Sequence, residues 1–238
     1  MASLGSRSVS WEGLLFDRTW PALLFVLFLY ARVVKLSATL TAASVEGRSS
    51  VALAADVAHQ TGTVLFFGLV VVLFIVRRPT VGARSDARGA VVALAGTAAL
   101  TLFAAADLVH GVIGLGPLQP TTDWRVLALS AALALSGTIV AGVSLATLGR
   151  CFGVFPEARG LVTRGPYRFV RHPVYLGEFI SGLGLLLPIL SPWTAAVFVA
   201  FVALQIWRMF NEERALQTAF PDYAFYRDRT SRLIPGLF

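Results

Sequence analysis

Apolar residues fall in long runs, and charge is gathered into the short segments between them. The first run, Trp20–Leu36, carries only Arg32 and Lys35 near its end, where long side chains can reach back to headgroups. Val57–Val76 has no formal charge and is long enough for a hydrocarbon core of about 30 Å. Gly89–Ala106, continuing to about Gly114, is the third run and encloses Asp107 and His110. Val126–Gly149 is the fourth. The last, Phe179–Trp207, holds Pro188-Ile-Leu-Ser-Pro192 in its middle. One straight helix of that length would overrun the bilayer, whereas two prolines flanking a serine favour a tight reversal. The pattern predicts a helical hairpin with arms near Pro173–Leu187 and Pro192–Phe210; a single kinked helix is the alternative. Because the runs are continuous and do not alternate, helices are expected and not a barrel. The expected fold is an all-α polytopic membrane bundle of about six spans. Four N-terminal spans (1–148) precede a distinct C-terminal region (149–238) that contains the hairpin.

Composition agrees with a membrane protein: 56% of residues are hydrophobic, 14% are charged and mean hydropathy is +0.73. The net charge of +7 raises the question of nucleic acid, but the arginines cluster at the ends of apolar runs, so topology explains them better. The loops Arg77–Arg88 and Arg150–Arg171 are Arg-rich; Ser37–Asp56, Gly114–Asp123 and the Pro188–Pro192 turn are not. Six spans put both basic loops and both termini on one side, the cytoplasmic side by the positive-inside rule. The first run reads as a retained anchor and not a cleaved signal. Cys151 is the single cysteine, which excludes an intramolecular disulfide and a multi-cysteine zinc site.

One polar island stands out. Arg164–Glu178, RGPYRFVRHPVYLGE, interleaves charge, aromatic rings, Gly and Pro between apolar runs. Gly165-Pro166 makes a turn, Tyr167 presents a phenol, and Pro173 suits the first turn of a helix whose free amides favour an anion. The bland reading of Arg164 and Arg168 is headgroup anchoring. Arg208 and Glu212, four residues apart, share a helical face, either as a surface ion pair or aimed at the helix start across the hairpin. Glu213 is expected to face elsewhere, toward solvent or a neighbouring loop. Asp56/His59 and Asp107/His110 repeat an i, i+3 spacing on the outer side, as hydrogen-bonded pairs or as a proton relay or metal site. No GxGxxG after a strand, P-loop, HExxH or GxSxG is present; GLGLL at Gly182–Leu186 reads as a packing seam.

The residues LVTRGPYRFVRHPVYLGE (Leu161–Glu178), followed by RMFNEERALQTAFPDYAFY (Arg208–Tyr226), resemble the isoprenylcysteine carboxyl methyltransferase family, whose relatives include membrane phospholipid methyltransferases. The match runs from about Gly149 onward. It implies an S-adenosyl-L-methionine-dependent enzyme at the cytoplasmic face that methylates a lipidic or prenylated acceptor on a carboxylate or amine. By that resemblance Leu161 and Val162 would line the cofactor through their backbone. Tyr167, His172, Pro173 and Tyr175 would cradle it, and Glu212 would close it. Arg208 would be catalytic, orienting the substrate. Arg159 stands where the eukaryotic pattern commonly has His. Membrane lipids are the implied surroundings; no metal, nucleic acid or obligate protein partner is implied. Two other readings are a membrane oxidoreductase or isomerase with the same layout, using NADPH, and a proton-linked transporter working through Asp107 and His110.

Overall fold

The computed structural model describes residues 19–46, 51–81, 91, 95–96 and 121–238. Within them the fold is helical: α1 (Trp20–Glu46), α2 (Val51–Val76), α3 (Trp124–Leu148), α4 (Pro173–Leu186), α5 (Pro192–Ala219) and the short α6 (Tyr223–Arg229). Among the described residues four helices are long and apolar enough to cross a membrane, with spans at Ala22–Ser44, Val57–Val76, Trp124–Cys151 and Pro192–Ala219; Pro173–Ile189 is shorter. The expected third span, with Asp107 and His110, lies outside the described residues, as does the side chain of Asp56. His59 sits part-buried on α2.

The hairpin forms and the single kinked helix does not. After α4 the chain makes one 3-10 turn, Leu187–Ile189, and restarts at Ser191. Ser191 and Thr194 cap each other's backbone N–H groups in a capping box, and Pro192 occupies the first turn, where no amide donor is needed. α1 outlasts its apolar run by ten residues, and along this polar extension Ser37, Thr39, Thr41 and Ser44 return their hydroxyls to carbonyls one turn back.

α1 and α2 pair antiparallel through aromatic rings: Phe25 meets Phe67 and Phe74 at 6.2 and 5.5 Å, and Gln60 donates to Thr39 near the other end. α3 and α4 approach so closely that backbones touch. A Cβ on Gly177 would stand 2.5 Å from the Ala141 nitrogen, and one on Gly184 2.5 Å from that of Ala134. Ser130 donates across the seam to the Gly184 carbonyl at 2.8 Å. Gly184 thus serves the seam expected of GLGLL, while Gly182 faces Phe198 and Phe201.

Loop contacts define the two ends of the bundle. At one end Thr121 donates to Pro188 in the hairpin turn. At the other, Arg78 donates to Arg150 and Val81 to Ala158, so the segment after α2 and the loop after α3 are laced together. The two Arg-rich segments therefore meet at one end of the bundle, as the charge pattern requires.

Candidate functional site

The polar island is held by the segment after α6. Val170 bridges in parallel to Ser231, Arg171 N–H donates to Ser231 at 2.8 Å, and His172 N–H donates to Arg232 at 2.9 Å. These contacts fix His172 as the N-cap residue of α4, with Pro173 behind it at the first turn. Tyr167 lies in a 3-10 turn opened by Gly165 at φ 59°, a conformation that favours glycine. Its carbonyl accepts from the Tyr226 hydroxyl at 2.7 Å.

Glu212 and Glu213 have separate tasks. Glu213 is buried and accepts from Arg171 at 2.9 Å, from Arg232 at 3.2 Å and, on its Oε1, approaches His172 Nε2 at 3.2 Å. Arg171 also donates to the carbonyls of Arg227 and Thr230. Glu213 therefore faces neighbouring loops, and not solvent, because two guanidinium groups and an imidazole converge on it. Glu212 is the pocket carboxylate: it accepts from the Tyr175 hydroxyl and from Arg208 Nε at 3.2 Å, while His172 Nδ1 stands 4.0 Å away. The Arg208 guanidinium lies 5.4 Å from the centre of the Tyr175 ring, a cation–π contact.

These groups line one cavity. Leu161, Val162, Tyr167, His172, Tyr175, Arg208 and Glu212 all border it. Pro173 does not; it is fully buried behind the wall and acts through the start of α4. Arg159 does border it, with one nitrogen 2.6 Å from Glu157 and another 2.6 Å from the Arg78 carbonyl. The same cavity is bordered by α1 and α2, whose Phe25, Phe28, Phe67 and Val70 form an apolar wall. Its polar and apolar ends are continuous. Among the described residues no three His, Cys, Asp or Glu side chains converge as a metal site.

Sequence reading missed three residues here. Glu178 and Gln205 border the cavity from the two arms of the hairpin, and the Gln205 amide donates to the Glu178 carboxylate. Glu178 closes the polar island and Gln205 lies inside the last apolar run; only the hairpin, and no spacing along the chain, brings the two together. Tyr223 is the third: its ring is buried and its hydroxyl has no partner among the described residues. Burial raises the ionisation of Tyr167 and Tyr223 well above the usual phenol value, with Glu212 and Glu213 respectively adding to it, and pushes Tyr226 up to about 12. All three stay protonated donors at neutral pH.

Residues 124–223 match the phospholipid methyltransferase family. The chain is 38% identical over 102 residues to the cobalt-zinc-cadmium resistance protein CzcN of Cupriavidus metallidurans, covering 40% of this chain and 47% of that one. It is 30% identical over 135 residues to the nickel-cobalt-cadmium resistance protein NccN of Alcaligenes xylosoxydans, covering 55% and 62%. Protein-S-isoprenylcysteine O-methyltransferase A of Arabidopsis thaliana shares 32% over 94 residues, 37% and 46% of the two chains. The matched part thus spans about half the length of these relatives. The solved structure of the eukaryotic intramembrane Ras methyltransferase ICMT (isoprenylcysteine carboxyl methyltransferase) has the same fold, with a TM-score of 0.52 at 17% identity over 97% of this chain and 88% of the other. From α3 through the hairpin to the start of α6 the chain is similar to the phospholipid methyltransferase family and to the isoprenylcysteine O-methyltransferases, and it shares the fold of the solved isoprenylcysteine carboxyl methyltransferase.

Proposed function

We propose that this chain is an integral membrane methyltransferase that moves a methyl group from S-adenosylmethionine to a lipidic or prenylated acceptor at the cytoplasmic face. The observation that carries the reading is the continuity of the cavity, polar at the hairpin and apolar beside α1 and α2, as an amphiphile meeting a polar donor requires. The donor set suits the cofactor. Glu212 offers a carboxylate to hydroxyl or ammonium groups, and Tyr175 and His172 offer ring faces. Tyr223 Oη and Arg159 Nε, both buried and without a partner among the described residues, offer donors to a carboxylate. Leu161 and Val162 supply backbone beside them.

The bound cofactor supplies a methyl group on a sulfonium centre. The chain supplies position and a dry environment. Glu212, held by Tyr175 and Arg208, is fixed in one orientation before anything binds. Arg208 points its charge at the junction of the two ends, where it orients the acceptor. The phenylalanines of α1 and α2 hold the apolar tail and exclude water, which strengthens every charge at the junction. In this reading residues 149–238 provide the catalytic groups and 1–148 a wall of the acceptor site. The arginines gathered at the site's end support a cytoplasmic position for it, with both termini on that side.

Calorimetric titration of the full chain with S-adenosylhomocysteine tests the proposal. Saturable binding is expected, weakened about tenfold or more in Glu212→Ala, the cost of one charge-assisted hydrogen bond. Wild-type protein that binds no S-adenosylhomocysteine overturns it.

A further inference from the structure

The proposed donor site leaves one cavity carboxylate without a task. Glu178 projects from α4 into the same cavity as Arg208 and Glu212. One of its oxygens accepts from the Gln205 amide; the other has no hydrogen bond among the described residues. Gln205 is itself buried, and its amide oxygen, with no partner among the described residues, is pressed against Gly96, where a Cβ would come within 2.7 Å. Turning the amide over would set that oxygen against the Glu178 carboxylate, so the orientation is fixed by repulsion. Gln205 thus acts as a clamp that holds Glu178 with its second oxygen toward the cavity.

Charge at this junction favours a cation. Arg208 is paired with Glu212 at 3.2 Å and is also attracted by Glu178. One guanidinium thus serves two carboxylates, and Glu178 stays under-compensated in an apolar setting. A carboxylate acceptor would add a third negative charge there. The donor's sulfonium answers one of these charges, and an ammonium, unlike a carboxylate, would donate to the open Glu178 oxygen.

We infer that Glu178 binds the amino group of an amine-bearing amphiphile and takes its proton, with Gln205 as its positioning residue. The inference rests on the methyl-transfer reading above. The ammonium gives one proton to the Glu178 carboxylate. The freed nitrogen lone pair then forms the bond to the methyl carbon as the carbon–sulfur bond breaks, its electron pair staying on sulfur. The product is an N-methylammonium, and the proton on Glu178 returns to solvent.

The test uses the full chain in phosphatidylcholine nanodiscs, titrated with dodecylamine and with dodecanoate and corrected for partition into empty nanodiscs. S-adenosylhomocysteine binding is measured on the same samples. Saturable amine binding about tenfold or more tighter than carboxylate binding is expected. In Glu178→Gln the ratio should fall to about one while S-adenosylhomocysteine affinity stays within about twofold. Equal or tighter binding of dodecanoate, or a ratio unchanged in Glu178→Gln, overturns the inference and leaves the methyl-transfer reading intact if S-adenosylhomocysteine binds. Failure of S-adenosylhomocysteine to bind wild type removes that reading and this inference with it. Should Glu178→Gln not fold, Gln205→Met decides: a reduced amine preference supports the clamp, and an unchanged one overturns it. Nanodiscs doped with phosphatidylethanolamine separate a headgroup amine from a single-chain amine as the source, and binding of neither overturns the assignment.

Discussion

The two faces of α4 meet their neighbours in opposite ways. Toward α3, Gly177, Ser181 and Gly184 present almost no side chain, and the helices touch backbone to backbone. Toward α5, Tyr175 and Glu178 present large polar groups that reach Glu212 and Gln205. At about 100° per residue the centres of these two sets lie about 120° apart, on different faces of one helix. The comparison teaches that one face is spent on fixing the helix so that the other can carry chemistry. A contact with no rotatable side chain has no slack, which suits a helix that must hold a carboxylate in a set direction.

Removing the charge that ties the polar side together should have the largest effect. Glu213→Ala leaves Arg171 and Arg232 without their shared counter-ion and His172 without its partner. Thermal unfolding in detergent should show a loss of about 3–5 kcal/mol, with donor binding falling alongside. A change under about 1 kcal/mol would mean that the carbonyls of Arg227 and Thr230 suffice for Arg171. Next is the glycine face: Gly177→Ala should cost about 1–3 kcal/mol, since the new methyl would meet the backbone of α3. If the seam positions the site, S-adenosylhomocysteine affinity should fall with stability; normal affinity in a destabilised Gly177→Ala would uncouple the two faces. The smallest effect is alkaline. Burial raises Tyr167, Tyr223 and Tyr226 in the folded chain, so the unfolded chain ionises first, near pH 10. The stability contributed by these three tyrosines is complete below about pH 10 and lost as pH rises toward 12 and beyond. Ultraviolet titration should show none of the three ionising before about pH 11 while the fold persists, and Tyr226→Phe should flatten part of the stability loss.

The architecture was legible because burial in lipid leaves coarse marks. Uncharged runs gave the helices, and Pro188 and Pro192 gave the reversal that the Ser191–Thr194 box completes. The island was legible through its local density of unlike residues. The pairing of Glu178 with Gln205 was not, since Glu178 is only the last residue of the island, Gln205 is a single polar residue inside an apolar run, and each gains meaning only from the other across the hairpin. Glu213 was legible as facing away from the pocket, but solvent and a neighbouring loop stayed open, because helical spacing says which way a side chain leaves its own helix and nothing about what folds back over it. The segment carrying Arg232 returns to that face by the turn after α6. The place of α1 and α2 beside the cavity was equally hidden: their phenylalanines look like ordinary membrane residues until they are seen to line it.

The pairing of Val170–His172 with Ser231–Arg232 has a consequence for biosynthesis. Arg232, whose carbonyl holds the His172 amide, is 60 residues further along the chain. Those 60 residues include both arms of the hairpin, so α4 must enter the bilayer before the strand that steadies its first turn has been translated. A nascent chain at that stage has its helices but no finished pocket. Insertion and competence are separate events, and a ribosome stalled between them would display a membrane protein whose site is not yet closed.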